Sequence, residues 1–115
     1  MDAISKAVGN PTSKPRSKYG AQKTAGYDSK REYAYACELL LRKTATNGDV
    51  LDWVEQVSIK LTAGIKYRCD FLVFKRDGTW ELVEVKGFAT KEWQMKLKLM
   101  KEHRPELYAR LKVVK

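Results

Sequence analysis

Long apolar runs are missing from this sequence, and soft metal-binding residues are scarce. No stretch approaches the roughly 20 apolar residues that a membrane-spanning helix needs, and no apolar run follows the N-terminal charges as in a secretory signal. We therefore expect a cytoplasmic protein with no membrane partner. With two cysteines and one histidine, the chain cannot supply the four ligands of a structural zinc site. We expect Cys37 and Cys69 to be reduced, buried thiols.

Acidic residues are also in deficit. The 115 residues include 23 Lys or Arg and 14 Asp or Glu, which gives a formal net charge of +9 at pH 7. This charge favours a polyanionic partner, most often nucleic acid. The length fits one domain, and an apolar fraction of 43% is enough for one modest core.

Residues 1–26 differ in composition from the rest. Gly, Pro, Ser, Thr, Lys and Ala dominate them, so they cannot bury enough apolar surface to offset the entropy of ordering. We predict a flexible basic tail over residues 1–26 and a folded domain over residues 27–115.

A capping-box motif opens the first predicted helix. In Ser29-Lys30-Arg31-Glu32, serine and glutamate occupy the two positions whose side chains satisfy free backbone N–H groups. Apolar residues then recur at helical spacing and predict one buried face. This face consists of Tyr33, Ala36, Cys37, Leu40 and Leu41.

Four strands and a second helix are predicted after it. The strands are expected at about 53–61, 66–75, 79–86 and 111–114, from their apolar, β-branched and aromatic residues. Asp77-Gly78 predicts a hairpin turn between the second and third.

The second helix is expected at about 91–103, capped by Thr90, with Trp93, Leu97 and Met100 on its inner face. The order α-β-β-β-α-β predicts an α/β domain with a central mixed sheet flanked by helices. Its last strand–helix–strand unit favours a parallel pairing.

Two carboxylates and a lysine are conspicuous on the predicted hairpin. Asp70 begins an apolar run, and Glu84 and Lys86 share one face of the next strand because they are two residues apart. Pairing about the Asp77-Gly78 turn brings residues 70 and 84 close to opposite each other. Two such carboxylates repel unless a cation lies between them, and hard oxygen ligands suit Mg²⁺ or Mn²⁺.

Phosphodiester cleavage needs this set of groups. A metal polarises the phosphate and acidifies a bound water, and a cation such as Lys86 stabilises charge in the transition state. The backbone carbonyl of Val85 could add a metal ligand, and Glu32 could reach the same metal. Each residue also fits a structural role. Asp70 could be a solvated strand end, Glu84 and Lys86 a polar strand face, and Glu32 only a capping residue.

The same residues carry a resemblance to a known superfamily. Asp70-Phe71 followed by Glu84-Val85-Lys86-Gly87 resembles the D…ExK signature of the PD-(D/E)xK nucleases, whose core has the element order predicted above. From about residue 18 onward, the chain is similar to a family of small phage-encoded endonucleases. The shared motifs are Lys18-Tyr19-Gly20, Ser29-Lys30-Arg31-Glu32, Tyr67-Arg68-Cys69-Asp70-Phe71 and Val85-Lys86-Gly87-Phe88. Cys69 stands where the superfamily's name has proline.

The resemblance implies an activity and a role for each residue. It implies a metal-dependent endodeoxyribonuclease with Mg²⁺ (or Mn²⁺) at Asp70 and Glu84, Lys86 as the catalytic lysine and Glu32 as an auxiliary acid. It favours branched DNA as the substrate, as in Holliday-junction resolution during phage recombination or DNA processing in the host cytoplasm. A symmetric homodimer would supply the two identical sites that such resolution needs.

Two alternatives stay open at this point. One is a nicking nuclease without preference for DNA structure, and the other is a DNA-binding or assembly module without catalysis. All three functions predict a basic surface that contacts phosphates. Its residues are Lys30, Arg31, Lys91, Lys96, Lys98 and Lys101.

Overall fold

Side-chain caps begin both long helices where the sequence predicts them. In the computed structural model, which describes residues 29–115, Ser29 Oγ accepts a hydrogen bond from the Glu32 backbone N–H at 3.1 Å. Thr90 Oγ1 accepts one from the Trp93 N–H at 3.1 Å. Each cap satisfies an N–H group that has no partner within its helix. The tail predicted over residues 1–26 lies outside the described residues.

The predicted order of elements is confirmed, with one addition. A short helix that the sequence analysis did not predict precedes the last strand, and it begins at Pro105, where a missing N–H is tolerated. Within residues 29–115, none of the helices has the length and apolar character that crossing a bilayer requires. The elements are α1 Lys30–Thr44, β1 Val50–Thr62, β2 Ile65–Lys75, β3 Trp80–Val85, α2 Lys91–His103, α3 Pro105–Tyr108 and β4 Leu111–Val114.

The four strands form one mixed sheet in the order β1-β2-β3-β4. β1 pairs antiparallel with β2, and β2 pairs antiparallel with β3, whereas β3 and β4 are parallel. The antiparallel hairpin and the parallel last pair are both as predicted. In the hairpin turn, Gly78 has a φ of +91°, which glycine adopts without strain.

Side chains on the two faces of the sheet form two hydrophobic clusters. Val83 packs with α1, and the preceding residue, Leu82, packs with α2 and α3, because neighbouring strand residues point to opposite faces. The sheet is therefore covered by α1 on one face and by α2 and α3 on the other. Of the predicted inner residues of α2, Met100 is fully buried, Trp93 packs against its cluster, and Leu97 is half-buried.

The buried face of α1 differs from the prediction. Of the five residues predicted to be buried, Tyr33, Cys37, Leu40 and Leu41 are exposed. The residues that are buried are Glu32, Tyr35, Ala36 and Leu39. This second stripe also has helical spacing, and it faces the sheet because the Tyr35 ring packs against Phe71, with 5.4 Å between centroids. Glu32 belongs to this buried face and therefore lies on the side of α1 that packs against the sheet.

The two cysteines are free thiols in different surroundings. Cys37 is exposed, contrary to the prediction, whereas Cys69 is fully buried, as predicted. Burial raises the pKa of the Cys69 thiol to about 12, so it stays protonated and packs as a small apolar side chain.

Along both β1 and β2, the buried side chains switch from one face of the sheet to the other. In β1, Trp53 packs in the α1 cluster and Val57 in the opposite cluster, although residues four apart share a face in a regular strand. In β2, Phe71 and Cys69 are divided in the same way. Both strands therefore rotate at the same place.

Gln56 and Asp70 occupy the row in which this rotation occurs. The pairs on either side are Glu55 with Phe71 and Val57 with Cys69, so residues 56 and 70 stand opposite each other. Gln56 has a φ of +57°, a left-handed conformation that redirects the side chains of a strand. The irregular row lies at the predicted site.

The corrected face of α1 predicts a contrast between two leucines of the same helix. Leu39 is fully buried, and Leu41 is 69% exposed. Leu39→Ala should lower the free energy of unfolding by about 2–5 kcal/mol because it leaves a cavity. The matched control Leu41→Ala should change it by about 0.5 kcal/mol or less. Urea denaturation measures both, and a larger loss for Leu41→Ala would restore the face predicted from sequence.

Candidate active site

The predicted acidic residues and lysine meet in one cleft at the open end of the β2–β3 hairpin, away from the Asp77-Gly78 turn. Glu32 of α1, Asp70 of β2 and Glu84 of β3 line it, together with Lys86, which follows β3. The cleft has a volume of about 370 Å³. Its other lining residues are Ser29, Arg31, Gln56, Arg68, Val85 and Gly87.

Glu84 is a buried carboxylate with two partners, and only 5% of its surface is exposed. Its Oε1 accepts a hydrogen bond from the Tyr67 hydroxyl at 2.5 Å, and its Oε2 lies 3.7 Å from Lys86 Nζ. Burial raises the pKa of Glu84, and the charge of Asp70 adds to the rise, whereas Tyr67 and Lys86 oppose it. Burial therefore disfavours the ionised form of Glu84 more than Tyr67 and Lys86 stabilise it.

Asp70 lies opposite Glu84, as predicted. The last pair of the β2–β3 ladder is Phe71 with Val83, and the two acids stand one step beyond it. Asp70 Oδ2 accepts a hydrogen bond from the Val85 N–H at 2.8 Å. The carboxylate thus takes the place of a backbone acceptor where the two strands part, and it is fixed beside the backbone of β3.

Glu32 is also buried, with 5% of its surface exposed. Its backbone N–H donates to Ser29, so it takes part in the predicted cap. Its carboxylate Oε2 accepts a hydrogen bond from Gln56 Nε2 at 2.9 Å. The cap thus uses the backbone of Glu32, and its carboxylate contacts Gln56 in the cleft.

Lys86 is held between an acid and an aromatic ring. Its Nζ lies 5.4 Å from the centroid of the Trp93 ring, in cation–π range, and on the other side it approaches Glu84. The side chain is 28% exposed. The ammonium group therefore keeps access to a bound anion while its position is restrained.

Two of the six predicted DNA-binding residues border the carboxylates. Arg31 lines the same cleft, and its side chain passes close to Gly87, where an added Cβ atom would lie 3.0 Å from Arg31 Nε. Lys96 lines an adjoining cleft of about 230 Å³, which it shares with Glu84 and Lys86. The other four line neither cleft and are exposed; they are Lys30, Lys91, Lys98 and Lys101.

The donor set fits a hydrated divalent cation. Within residues 29–115, no three side chains of Asp, Glu, His or Cys are grouped so that they could hold a metal ion, so Glu32 forms no three-carboxylate cluster with Asp70 and Glu84. Mg²⁺ is commonly bound through one or two carboxylates and keeps several of its waters. Asp70, Glu84 and the Val85 carbonyl would hold such an ion. When bound, it would polarise a phosphate oxygen and acidify a water.

Three residues near the carboxylates were not predicted as site residues. Tyr67 and Arg68 lie in the Tyr-Arg-Cys-Asp-Phe motif, so their closeness to Asp70 in sequence is a usable indication. Gln56 has no such indication, because its position depends on a backbone conformation that the sequence pattern does not reveal.

Fold and cleft together define an α/β protein with a four-stranded mixed sheet and a carboxylate-lined cleft at the end of its central hairpin. A family model described as a protein of unknown function, DUF1064, matches residues 16–115. The chain belongs to this family. No curated protein matches it.

The raised pKa of Glu84 predicts an unusual dependence of stability on pH. Because this pKa lies above its ordinary value of 4.5, Glu84 binds a proton more tightly in the folded chain than in the unfolded chain. The free energy of unfolding therefore falls as the pH rises from the pKa of the unfolded state through the raised pKa of the folded state. In metal-free protein, Glu84→Gln should therefore be more stable than wild type at neutral pH. This pH-dependent difference in the free energy of unfolding should vanish below about pH 4, where the wild-type glutamate is protonated and as neutral as the glutamine of the variant.

Asp49→Asn is a control for which the opposite change in stability is expected at neutral pH. The hydrogen bond from Arg42 lowers the pKa of Asp49, so the wild-type carboxylate should stabilise at neutral pH and lose this effect as the pH falls through the lowered pKa. Urea denaturation in EDTA over a pH series measures both variants. A Glu84→Gln protein that is less stable than wild type throughout the series would contradict the assignment of a burial penalty to Glu84.

Proposed function

We propose that the chain is a metal-dependent endodeoxyribonuclease with a PD-(D/E)xK core. The observation that carries the proposal is the meeting of Asp70, Glu84 and Lys86 in one cleft at the end of a hairpin. The element order and the D…ExK resemblance support the same class of enzyme.

In this proposal the two acids hold Mg²⁺ or Mn²⁺ beside the scissile phosphate. The Val85 N–H orients Asp70, and the Tyr67 hydroxyl orients Glu84. Because Glu84 is buried next to the charge of Asp70, the pair is destabilised without a cation and relieved by one. The Val85 carbonyl supplies a further oxygen.

Lys86 is the group proposed to stabilise the phosphate in the transition state. Its restrained ammonium lies beside Glu84 and adds positive charge where negative charge develops on the phosphate oxygens. Glu32 is the auxiliary acid, which acts on water around the cation and is not a third ligand.

DNA is the proposed partner, and the basic residues that border the clefts are its proposed contacts. Arg31 and Lys96 stand next to the carboxylates, where a phosphate backbone crossing the site would meet them. The exposed lysines of α2 would extend this contact along the duplex, since phosphate contacts fix the position of DNA without reading its sequence.

Branched DNA is the proposed substrate, and the cytoplasm is the proposed place of action. Residues 29–115 of each chain form one proposed active site, whereas resolving a four-way junction needs two cuts related by near two-fold symmetry. A homodimer would supply them with identical sites.

Substitution of the acids tests the chemistry. Asp70→Asn and Glu84→Gln should each abolish Mg²⁺-dependent cleavage while DNA binding is kept, because the charges that hold the cation are lost and the fold is not. Lys86→Ala should lower turnover on the order of 100-fold or more. Cleavage of a labelled four-way junction and of a linear duplex with the same arms measures activity, and anisotropy in EDTA measures binding.

The chain offers matched controls for these variants. Glu81 is on the same strand as Glu84, partly buried beside Lys75, and outside the cleft, so Glu81→Gln should stay active. Lys66 is exposed and outside both clefts, so Lys66→Ala should match wild type. Full activity in either acid variant would overturn the proposal. Equal cutting of both substrates by a strict monomer would leave a general nuclease.

The salt dependence of DNA binding tests the basic surface. If Lys96 contacts a phosphate, Lys96→Ala should reduce the steepness of log K against log salt by about 0.9 on duplex DNA, and Arg31→Ala should do the same. Titrations at several salt concentrations measure the slope, with Lys66→Ala as the control. An unchanged slope in both variants would reduce these side chains to solvated surface charges.

A further inference from the structure

We infer that Gln56 is a positioning residue of the proposed active site, and that its amide holds Glu32 against the hydration shell of the bound cation. The inference rests on the proposed function and extends it to a residue of β1, a strand that supplies none of the catalytic or metal-binding residues assigned above. Gln56 lines the cleft with Glu32 and Asp70, and its Nε2 donates to Glu32 Oε2 at 2.9 Å.

The backbone of Gln56 is the first observation behind the inference. Its φ of +57° lies in the left-handed region, which disfavours residues with a Cβ atom and suits glycine. Strained conformations of this kind persist where the surroundings fix them, and they concentrate at functional sites. A glycine would give β1 the same bend with less strain. The presence of glutamine therefore points to a use for its side chain.

The location of the strain is the second observation. The pairs on either side place residue 56 opposite residue 70 between β1 and β2. Residues 70 and 84 lie one step beyond Phe71 and Val83, the last pair of the β2–β3 ladder. The left-handed residue thus lies in the one row that contains both proposed metal ligands. It also turns its own side chain to Glu32, which approaches from α1.

The chemistry of an amide suits this task. A glutamine N–H can orient a carboxylate through a hydrogen bond, and the amide carries no charge of its own. Mg²⁺ keeps several waters when bound, and outer carboxylates that accept hydrogen bonds from such groups tune metal affinity. Glu32 is suited to this outer role because it forms no three-carboxylate cluster with Asp70 and Glu84.

Gln56→Gly separates the backbone from the side chain. The glycine retains the left-handed turn, so the melting temperature in EDTA should equal or exceed that of wild type. The loss of the amide should weaken Mn²⁺ binding, measured by electron paramagnetic resonance, and raise the Mg²⁺ concentration for half-maximal cleavage, each by about 10-fold. In a double-mutant cycle, adding Gln56→Gly to Glu32→Gln should cause no further loss, because one residue acts through the other.

Ala63→Gly is the matched control. Ala63 is the other non-glycine residue with positive φ among residues 29–115, at +49°, and it lies in the exposed β1–β2 turn. This variant should also keep or gain thermal stability, while Mn²⁺ binding stays unchanged.

The outcomes distinguish this inference from the proposed function. If wild type binds no Mn²⁺ and cleaves no DNA, the proposed function fails and the inference fails with it. If wild type does both and Gln56→Gly matches it, the inference alone is overturned. A Gln56→Gly protein that melts well below wild type would also overturn it, since glutamine would then serve stability.

Discussion

The burial of the Glu84 carboxylate is the constraint on which the arrangement of this site depends. A buried charge is tolerated only when other groups solvate it, and two elements of the fold do so here. Tyr67 reaches it from β2 at 2.5 Å, and Lys86 reaches it from the end of β3 at 3.7 Å. Asp70 works against them, since its negative charge adds to the rise in the pKa of Glu84. The carboxylate of Glu84 is thus positioned by a hydrogen bond and an ion pair, while burial and the charge of Asp70 work against its ionised form.

The change of face in β1 and β2 creates the room for this arrangement. If both strands stayed regular, Asp70 would continue the ladder and its side chain would point to one face of the sheet. The strands rotate at the row of Gln56 instead, and the Asp70 carboxylate accepts a hydrogen bond from the Val85 N–H of the neighbouring strand. The cleft opens where regular pairing between β2 and β3 ends. The left-handed backbone of Gln56 and the carboxylates of the cleft therefore share one location.

The sequence predicts most of the fold because its local patterns are unambiguous. Asp77-Gly78 fixes the hairpin, and the hairpin fixes Asp70 opposite Glu84, so this part of the site follows from counting residues. The buried face of α1 does not, because the helix has two apolar stripes and the correct one contains Glu32, which a search for apolar residues discounts. Packing against Phe71 decides between them. Gln56 is beyond such reasoning, since its conformation is imposed by tertiary contacts.

The distribution of charge connects the site to the composition of the whole chain. The protein has a net charge of +9, yet three of its acids, Glu32, Asp70 and Glu84, converge on one cleft. Arg31, Arg68 and Lys86 line the same cleft, so the acids are accompanied there by an equal number of cationic side chains. A divalent cation held by Asp70 and Glu84 would add positive charge beside these acids, where the proposed phosphate binds. In the proposed nuclease, the cation would thus hold the scissile phosphate for the chemistry, while the basic surface binds DNA without it.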